Sequence, residues 1–180
     1  RKFAADILGE VRRTEAVGPL VTALDDADSN VRTSAAEALG RIGGPDARRA
    51  LERLLYSADV MLRVCALEGL SQLRLPVPLP MLTPLLHDPL TRRSAWRLLG
   101  HVQHPTAALI TVRGLGARES RDAALVAIGA SGRPLSAEME ADVRIVLASV
   151  RDAHAWLESA LASNELERHL GALTVTRALD

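Results

Sequence analysis

Apolar residues recur along this chain at helical spacing, and the whole pattern returns about every 30 residues. The pair Ala35 and Leu39 shares one face of a predicted helix. An Ala followed four residues later by Leu or Ile occurs at Ala4/Leu8, Ala35/Leu39, Ala66/Leu70, Ala95/Leu99, Ala124/Ile128 and Ala153/Leu157. Successive pairs are 31, 31, 29, 29 and 29 residues apart. The chain is therefore predicted to contain six copies of one helical unit.

Two further columns of residues accompany these pairs. An arginine stands three residues before the Ala in the first five copies, at Arg1, Arg32, Arg63, Arg92 and Arg121. A glycine follows the Leu or Ile in four copies, at Gly9, Gly40, Gly100 and Gly129. Glycine is common where a helix ends in a left-handed residue, so this column predicts helix ends.

A second set of helical patterns lies between the first. Its members run over 16–26, 45–55, 79–88 and 105–115, and Pro45 and Pro105 stand at the first helical position of theirs. Each unit is thus a helical hairpin, which buries its apolar stripe only by stacking on its neighbours. We expect one domain over 1–180, with repeats near 1–13, 14–44, 45–75, 76–104, 105–133 and 134–162 and a capping helix over 163–180.

One segment departs from this pattern. In "RLPVPLPM", over 74–81, three prolines occupy alternate positions. Proline cannot continue a helix interior and pushes the preceding residue towards extended geometry, so an extended connector is predicted here. A proline-rich docking segment is the alternative interpretation, and the inter-repeat loop is favoured.

The best copy, "NVRTSAAEALGRIG" over 30–43, resembles the HEAT repeat family, and most closely the short bacterial HEAT-like repeats of phycobilisome lyases. The resemblance implies an all-α fold, a right-handed α-solenoid of five to six hairpins. It implies that the first helix of each hairpin is convex and the second concave. It also implies a ladder between an acid of the turn and the arginine of the second helix. Asp25 or Asp26 would serve Arg32, and the nearest acids in later copies are Asp59, Asp88 and Glu119.

Composition and motifs disfavour catalysis. Cys65 is the single cysteine, so no internal disulfide or thiolate metal cluster can form, and a buried, inert thiol is predicted there. The five histidines lack metal-ligand spacing, and no phosphate loop or nucleophile motif is found. We therefore expect no enzymatic activity, no metal and no cofactor.

The stripe through positions 33, 37 and 41, and its equivalents in the other copies, is predicted to face a partner. It is acidic in the early copies and basic in the fourth. Trp96 can instead pack between repeats, and the arginines can form a solvated face. The candidate partner-binding residues are Glu37, Arg41, Glu68, Arg93, Trp96, Arg97 and His101.

These features favour a non-catalytic scaffold that binds another protein along the concave face. A chromophore-handling, lyase-like subunit is the first alternative, on resemblance alone. A nucleic-acid-binding repeat protein is the second, and the zero net charge disfavours it. No apolar run reaches membrane-spanning length, and we expect a bacterial, cytoplasmic location and a longer parent protein. The oligomeric state is left open.

Overall fold

The computed structural model describes residues 1–74 and 76–179, and over these residues its regular structure is entirely helical. The α-helices are α1 (Lys2–Val11), α2 (Val17–Ala23), α3 (Ser29–Ile42), α4 (Gly44–Leu54), α5 (Val60–Gln72), α6 (Leu79–Leu82), α7 (Arg92–Leu99), α8 (Pro105–Gly116), α9 (Arg121–Ser131), α10 (Ala137–Ala148), α11 (Ala153–Leu161) and α12 (Leu166–Leu179). Short 3₁₀ turns cover Thr14–Ala16 and Thr83–Leu86. Leu75 of the predicted connector and Asp180 of the predicted cap lie outside the described residues.

The chain divides into two compact units. Unit 1 comprises Arg1–Val77 and Thr83–Ser94, and unit 2 comprises Pro78–Leu82 and Ala95–Asp180. In unit 1, α3 packs between α1 and α5. In unit 2, α9 packs against α8 and α12, and α10 packs against α8 and α12. The repeat boundaries proposed from the sequence stay a prediction.

Helix α3 contains the best copy of the repeat pattern. Its N-cap is Asp28, whose carboxylate accepts a hydrogen bond from the Asn30 amide at 2.9 Å. Leu39 is fully buried. The helix ends at Gly43, which has a φ of 72° that an L-residue rarely adopts. The helix predicted around Ala35 and Leu39 is therefore one helix with both ends defined.

The predicted helix end is found at Gly100, which directly follows α7, whereas Gly9, Gly40 and Gly129 lie inside helices, which corrects the prediction for those three. Close packing is the feature that the column shares. Gly40 lies inside α3, and a Cβ added there would fall 2.6 Å from the Gly69 Cα of α5. A Cβ at Gly9 would fall 2.9 Å from Ala38 in the same way. Positive φ is found instead at Gly43, Gly44 and Gly132. The column therefore lets neighbouring second helices of the repeats approach each other closely.

Glycines also lie at close contacts between helices in unit 2. A Cβ at Gly100 would lie 2.1 Å from the Ala127 carbonyl oxygen. A Cβ at Gly129 would lie 1.9 Å from the carbonyl oxygen of Glu167 in α12, and one at Gly171 would lie 2.0 Å from that of Leu125 in α9. Helix α12, predicted as a cap, therefore packs against α9 as closely as α3 packs against α5.

The arginine column forms ion pairs with aspartates, but with a different register from the one expected. The observed pairs are Arg1–Asp26 at 2.7 Å, Arg32–Asp59 at 3.1 Å, Arg63–Asp88 at 3.2 Å and Arg121–Asp152 at 2.9 Å. Each arginine thus reaches the acid of the following turn. Its own turn supplies main-chain acceptors: Arg32 donates to the carbonyls of Asp26 and Ala27, and Arg92 donates to that of His87.

The proline-rich segment behaves as a connector and not as a free docking peptide. No regular structure covers 76–78, and α6 begins at Leu79, inside the segment expected to be extended. Val77 is buried, and the Arg48 guanidinium donates to the Pro76 carbonyl at 2.9 Å. The inter-repeat loop is therefore the interpretation that these contacts favour.

Candidate functional site

Helices α3, α5 and α9, which are second helices of their repeats, leave little of their surface exposed. In α3, Glu37 is the one exposed side chain between Val31 and Ile42, and Glu68 holds the equivalent position in α5. In α9 the one such residue is Asp122. The close packing on both sides of each helix causes this pattern, because only one stripe per helix remains open to a partner.

In unit 1 the exposed stripe is polar and partly paired. The Arg41 guanidinium lies 3.5 Å from the Glu10 carboxylate of α1 and 3.7 Å from that of Glu37. Arg41 is half-buried, whereas Glu37 and Glu68 are exposed. Arg93, at the start of α7, is also exposed and belongs to this unit. Four of the seven candidate residues thus lie in unit 1 with their charged groups at or near the surface.

The remaining three candidates lie in unit 2, and their surroundings differ. Trp96 is only 3% exposed, and its ring fills the space above Gly114, where a Cβ would fall 2.3 Å from the ring carbon Cη2. Trp96 is therefore a packing residue, which corrects its placement on the partner-facing surface. Arg97 donates through Nε to Glu167 of α12 at 2.6 Å, and His101 is half-buried.

Charged side chains surround the second tryptophan, Trp156, in α11. The Arg121 guanidinium stacks over its ring, 5.4 Å from the centroid. The indole nitrogen of Trp156 donates to Asp122 at 2.9 Å, and Asp122 also receives a bond from Arg168 of α12. This cluster ties α9, α11 and α12 together. This cluster was not predicted from the sequence.

Unit 2 also contains a pocket, which the sequence did not predict. Its volume is about 300 Å³, at the lower end of the range for small-molecule sites. The apolar walls include Leu99, Val102, Ala108, Ile128, Leu135 and Met139. Two connections border it, one between α7 and α8 and the other between α9 and α10.

The polar side chains that line this pocket are either positively charged or uncharged. Arg133 and His104 are the ionisable side chains among the lining residues, and no carboxylate is present there. His104 caps α8 by accepting the Thr106 amide proton at Nδ1, 3.1 Å away, so neutral His104 carries its own proton on Nε2. The Ser131 hydroxyl donates to the Ile128 carbonyl at 2.7 Å.

The described residues contain neither a cluster of metal ligands nor a membrane-spanning helix. Nowhere in 1–74 and 76–179 do three His, Cys, Asp or Glu side chains converge as metal ligands would. The helices described for the same residues are too short or too polar to span a bilayer.

Comparison with known proteins identifies the repeats of the N-terminal part. Residues 1–64 match the family model for HEAT repeats, which confirms the resemblance seen in the sequence. A search of curated proteins by sequence gave no match.

Solved structures extend the fold assignment to almost the whole chain. A designed armadillo repeat protein aligns over 99% of this chain and 93% of its own, with 19% identity and a TM-score of 0.61. A computationally designed armadillo repeat protein for modular peptide recognition aligns over 98% and 92%, with 18% identity and a TM-score of 0.58. Kap121p aligns over 99% of this chain and 21% of its own, with 17% identity and a TM-score of 0.53. The chain therefore has the all-α fold of HEAT and armadillo repeat proteins.

Proposed function

We propose that this protein is a non-catalytic scaffold that binds another protein through the exposed stripe of its second helices. The observation that carries the proposal is an exposed glutamate at the same position of two neighbouring second helices, Glu37 in α3 and Glu68 in α5. Equivalent positions on successive helices form a row, and an extended segment of a partner can contact such a row one repeat at a time.

The partner-facing residues in this proposal are a revised set. In unit 1 the set is Glu37, Arg41, Glu68 and Arg93. Arg97 and His101 are separate candidates within unit 2. Trp96 leaves the set because its ring is buried. The repeat fold supports the proposal, since one of the aligned proteins of the same fold was designed for peptide recognition.

The proposal predicts the charge of the partner segment that meets unit 1. The Glu37 and Glu68 carboxylates are exposed, and Arg41 is already engaged by Glu10 and Glu37. A segment that contains Lys or Arg is therefore expected opposite these two carboxylates.

Site-specific photo-crosslinking in cells that express this protein tests this function. A photoreactive residue is placed at Glu37 or Glu68, and a matched control at the exposed Arg53 of α4. We expect the same partner polypeptide to be captured from both stripe positions and not from position 53. Equal capture from position 53, or none from the stripe, would contradict the proposal.

A charge-reversal variant then measures the contribution of the stripe to affinity. Glu37→Arg with Glu68→Arg is expected to weaken binding of the captured partner about tenfold or more, because like charges would then face each other. The circular dichroism spectrum and Tm should change little, since both side chains are exposed.

The two alternative functions stay predictions from the sequence, as do the bacterial origin and the cytoplasmic location. No contact or charge distribution described above favours nucleic-acid binding.

A further inference from the structure

The pocket of unit 2 lies at a position of the repeat where a leucine side chain fills the space in unit 1. In unit 1 the connection after α3 contains Gly43, and the Leu73 side chain packs against it, with its Cδ2 2.8 Å from where a Gly43 Cβ would be. Leu73 lies eight residues after Cys65 in the third copy. The matching residue in the fifth copy is Ser131, eight residues after Ala123. Serine leaves open the space that leucine fills in unit 1.

The connections themselves widen this space. One residue, Gly43, separates α3 from α4. By contrast, residues 100–104 separate α7 from α8, and residues 132–136 separate α9 from α10. Both longer connections contribute lining residues, among them Gln103 and Leu135. The pocket is therefore a local property of unit 2 and not a feature of every repeat.

The lining specifies the chemistry of a ligand. Most of its lining residues are apolar, among them Leu99, Ile128 and Met139, so the walls favour a hydrocarbon group over a polar one. Arg133 is exposed at the pocket, and no acid among the lining residues neutralises its charge. A guanidinium binds a carboxylate through two parallel hydrogen bonds. The Nε2–H group of neutral His104 is a further donor in the same lining.

We propose that this pocket binds a small aliphatic carboxylate, with the hydrocarbon chain against Leu99, Ile128 and Met139 and the carboxylate at Arg133. The volume of about 300 Å³ limits the ligand to a short or medium chain. The proposal is independent of the scaffold function, because it uses residues outside the exposed stripe.

Titration of the full chain with octanoate tests the proposal, with binding measured by calorimetry and located by amide chemical shifts. We expect saturable binding that perturbs the amides of the pocket lining. Octanol and acetate serve as probes that lack the charge and the chain, respectively, and each should bind at least about tenfold more weakly. Absence of saturable octanoate binding, or octanol binding as tight as octanoate binding, would overturn the proposal.

Three variants separate the pocket from nonspecific binding. Arg133→Gln should weaken octanoate binding about tenfold or more, because a charge-assisted bond is lost. Ser131→Leu should abolish binding by filling the space that Leu73 fills in unit 1. Arg113→Gln, at an exposed arginine of α8 outside the lining, should leave binding unchanged.

The melting temperature of each variant is measured alongside. Arg133 is exposed, so Arg133→Gln should retain the fold and keeps the test valid even if Ser131→Leu does not fold. Unchanged octanoate affinity in Arg133→Gln, or an equal loss in Arg113→Gln, would show that the site is wrongly placed.

Discussion

Arg32 and Asp59 connect two successive turns of unit 1. The Arg32 Nη2 atom donates to the Asp59 carboxylate at 3.1 Å, while Nη1 donates to the carbonyl of Asp26 at 3.0 Å. The other oxygen of the Asp59 carboxylate accepts the Met61 amide at 3.0 Å and so caps α5. One arginine therefore fixes the turn before its own helix to the turn before the next helix.

Replacement of Arg32 by alanine should destabilise the protein by about 1–3 kcal/mol, because carbonyls and a carboxylate lose a charged donor. Urea unfolding followed by circular dichroism measures the change. Arg49→Ala is the matched control, since Arg49 pairs with Asp46 on the exposed surface of α4. Its effect should stay below about 0.5 kcal/mol. An equally small effect at Arg32 would mean that the connection between turns does not stabilise the fold.

The same pair predicts a dependence of stability on pH. The Arg32 guanidinium, together with the Met61 and Leu62 amides, holds the pKa of Asp59 below its ordinary value. A depressed pKa in the folded state contributes stability above the ordinary carboxyl pKa of about 4 and loses it as pH falls further. We therefore expect the urea midpoint to fall as pH drops below about 5.

The variant Asp59→Asn isolates the charge from the helix cap, because asparagine caps a helix about as well as aspartate. The wild-type protein should lose its advantage over the variant as pH falls through the Asp59 pKa. A constant difference between the two from pH 7 to pH 2 would contradict an ionic contribution from this carboxylate.

The sequence predicted the helices better than the contacts between them. Ala35 and Leu39 were placed correctly in the core because a periodicity of three and four directly reports which face is buried. The register of the arginine pairs was wrong. Sequence distance favoured the nearest acid, whereas the arginine donates to main-chain carbonyls of its own turn and reaches the acid of the next turn, as Arg32 does with the Asp26 carbonyl and the Asp59 carboxylate.

The glycines show a second limit of sequence reasoning. A glycine needed for positive φ and a glycine needed for its missing Cβ look the same in a single sequence. Gly43 is the first kind and Gly40 the second. The pocket was missed for a similar reason: Ser131 has a smaller side chain than Leu73, and the lost volume matters only once the neighbouring connections are known.

Gly40→Ala provides a test of the close contact between α3 and α5. Alanine is favoured over glycine in a helix by about 1 kcal/mol, so propensity alone predicts a more stable protein. The added Cβ would fall 2.6 Å from the backbone of Gly69, so the contact should reverse the sign and destabilise the protein. The free energy of unfolding in urea measures the outcome.

Gly18→Ala is the control for Gly40→Ala. Gly18 lies in α2, is exposed, and has no atom within 4 Å of an added Cβ. Its substitution should leave stability unchanged or raise it by up to about 1 kcal/mol. If Gly40→Ala were as well tolerated as Gly18→Ala, the two helices would not need glycine for their approach.

Cys65 is expected to be unreactive in the folded protein. Its side chain is 5% exposed, and burial, with the charges of Glu37, Glu68 and Asp59, raises the pKa of the thiol to about 11. Since the thiolate is the reactive form, about one molecule in a thousand is ionised at pH 8. Reaction with a thiol reagent at pH 8 should therefore be at least about a hundredfold slower in buffer than in urea.

A variant with an exposed thiol in the same helix is the control. It separates the effect of burial on the reaction rate from an effect of urea on the reagent. Met61 is 54% exposed at the start of α5, so Met61→Cys combined with Cys65→Ala places the only thiol at the surface. This variant should react at much more similar rates with and without urea than Cys65 does, because its thiol is exposed in both states. Rapid reaction of native Cys65 would require that α3 and α5 separate readily. That result would also contradict the close contact inferred from Gly40 and Gly69, because the two observations test the same helix pair from different sides.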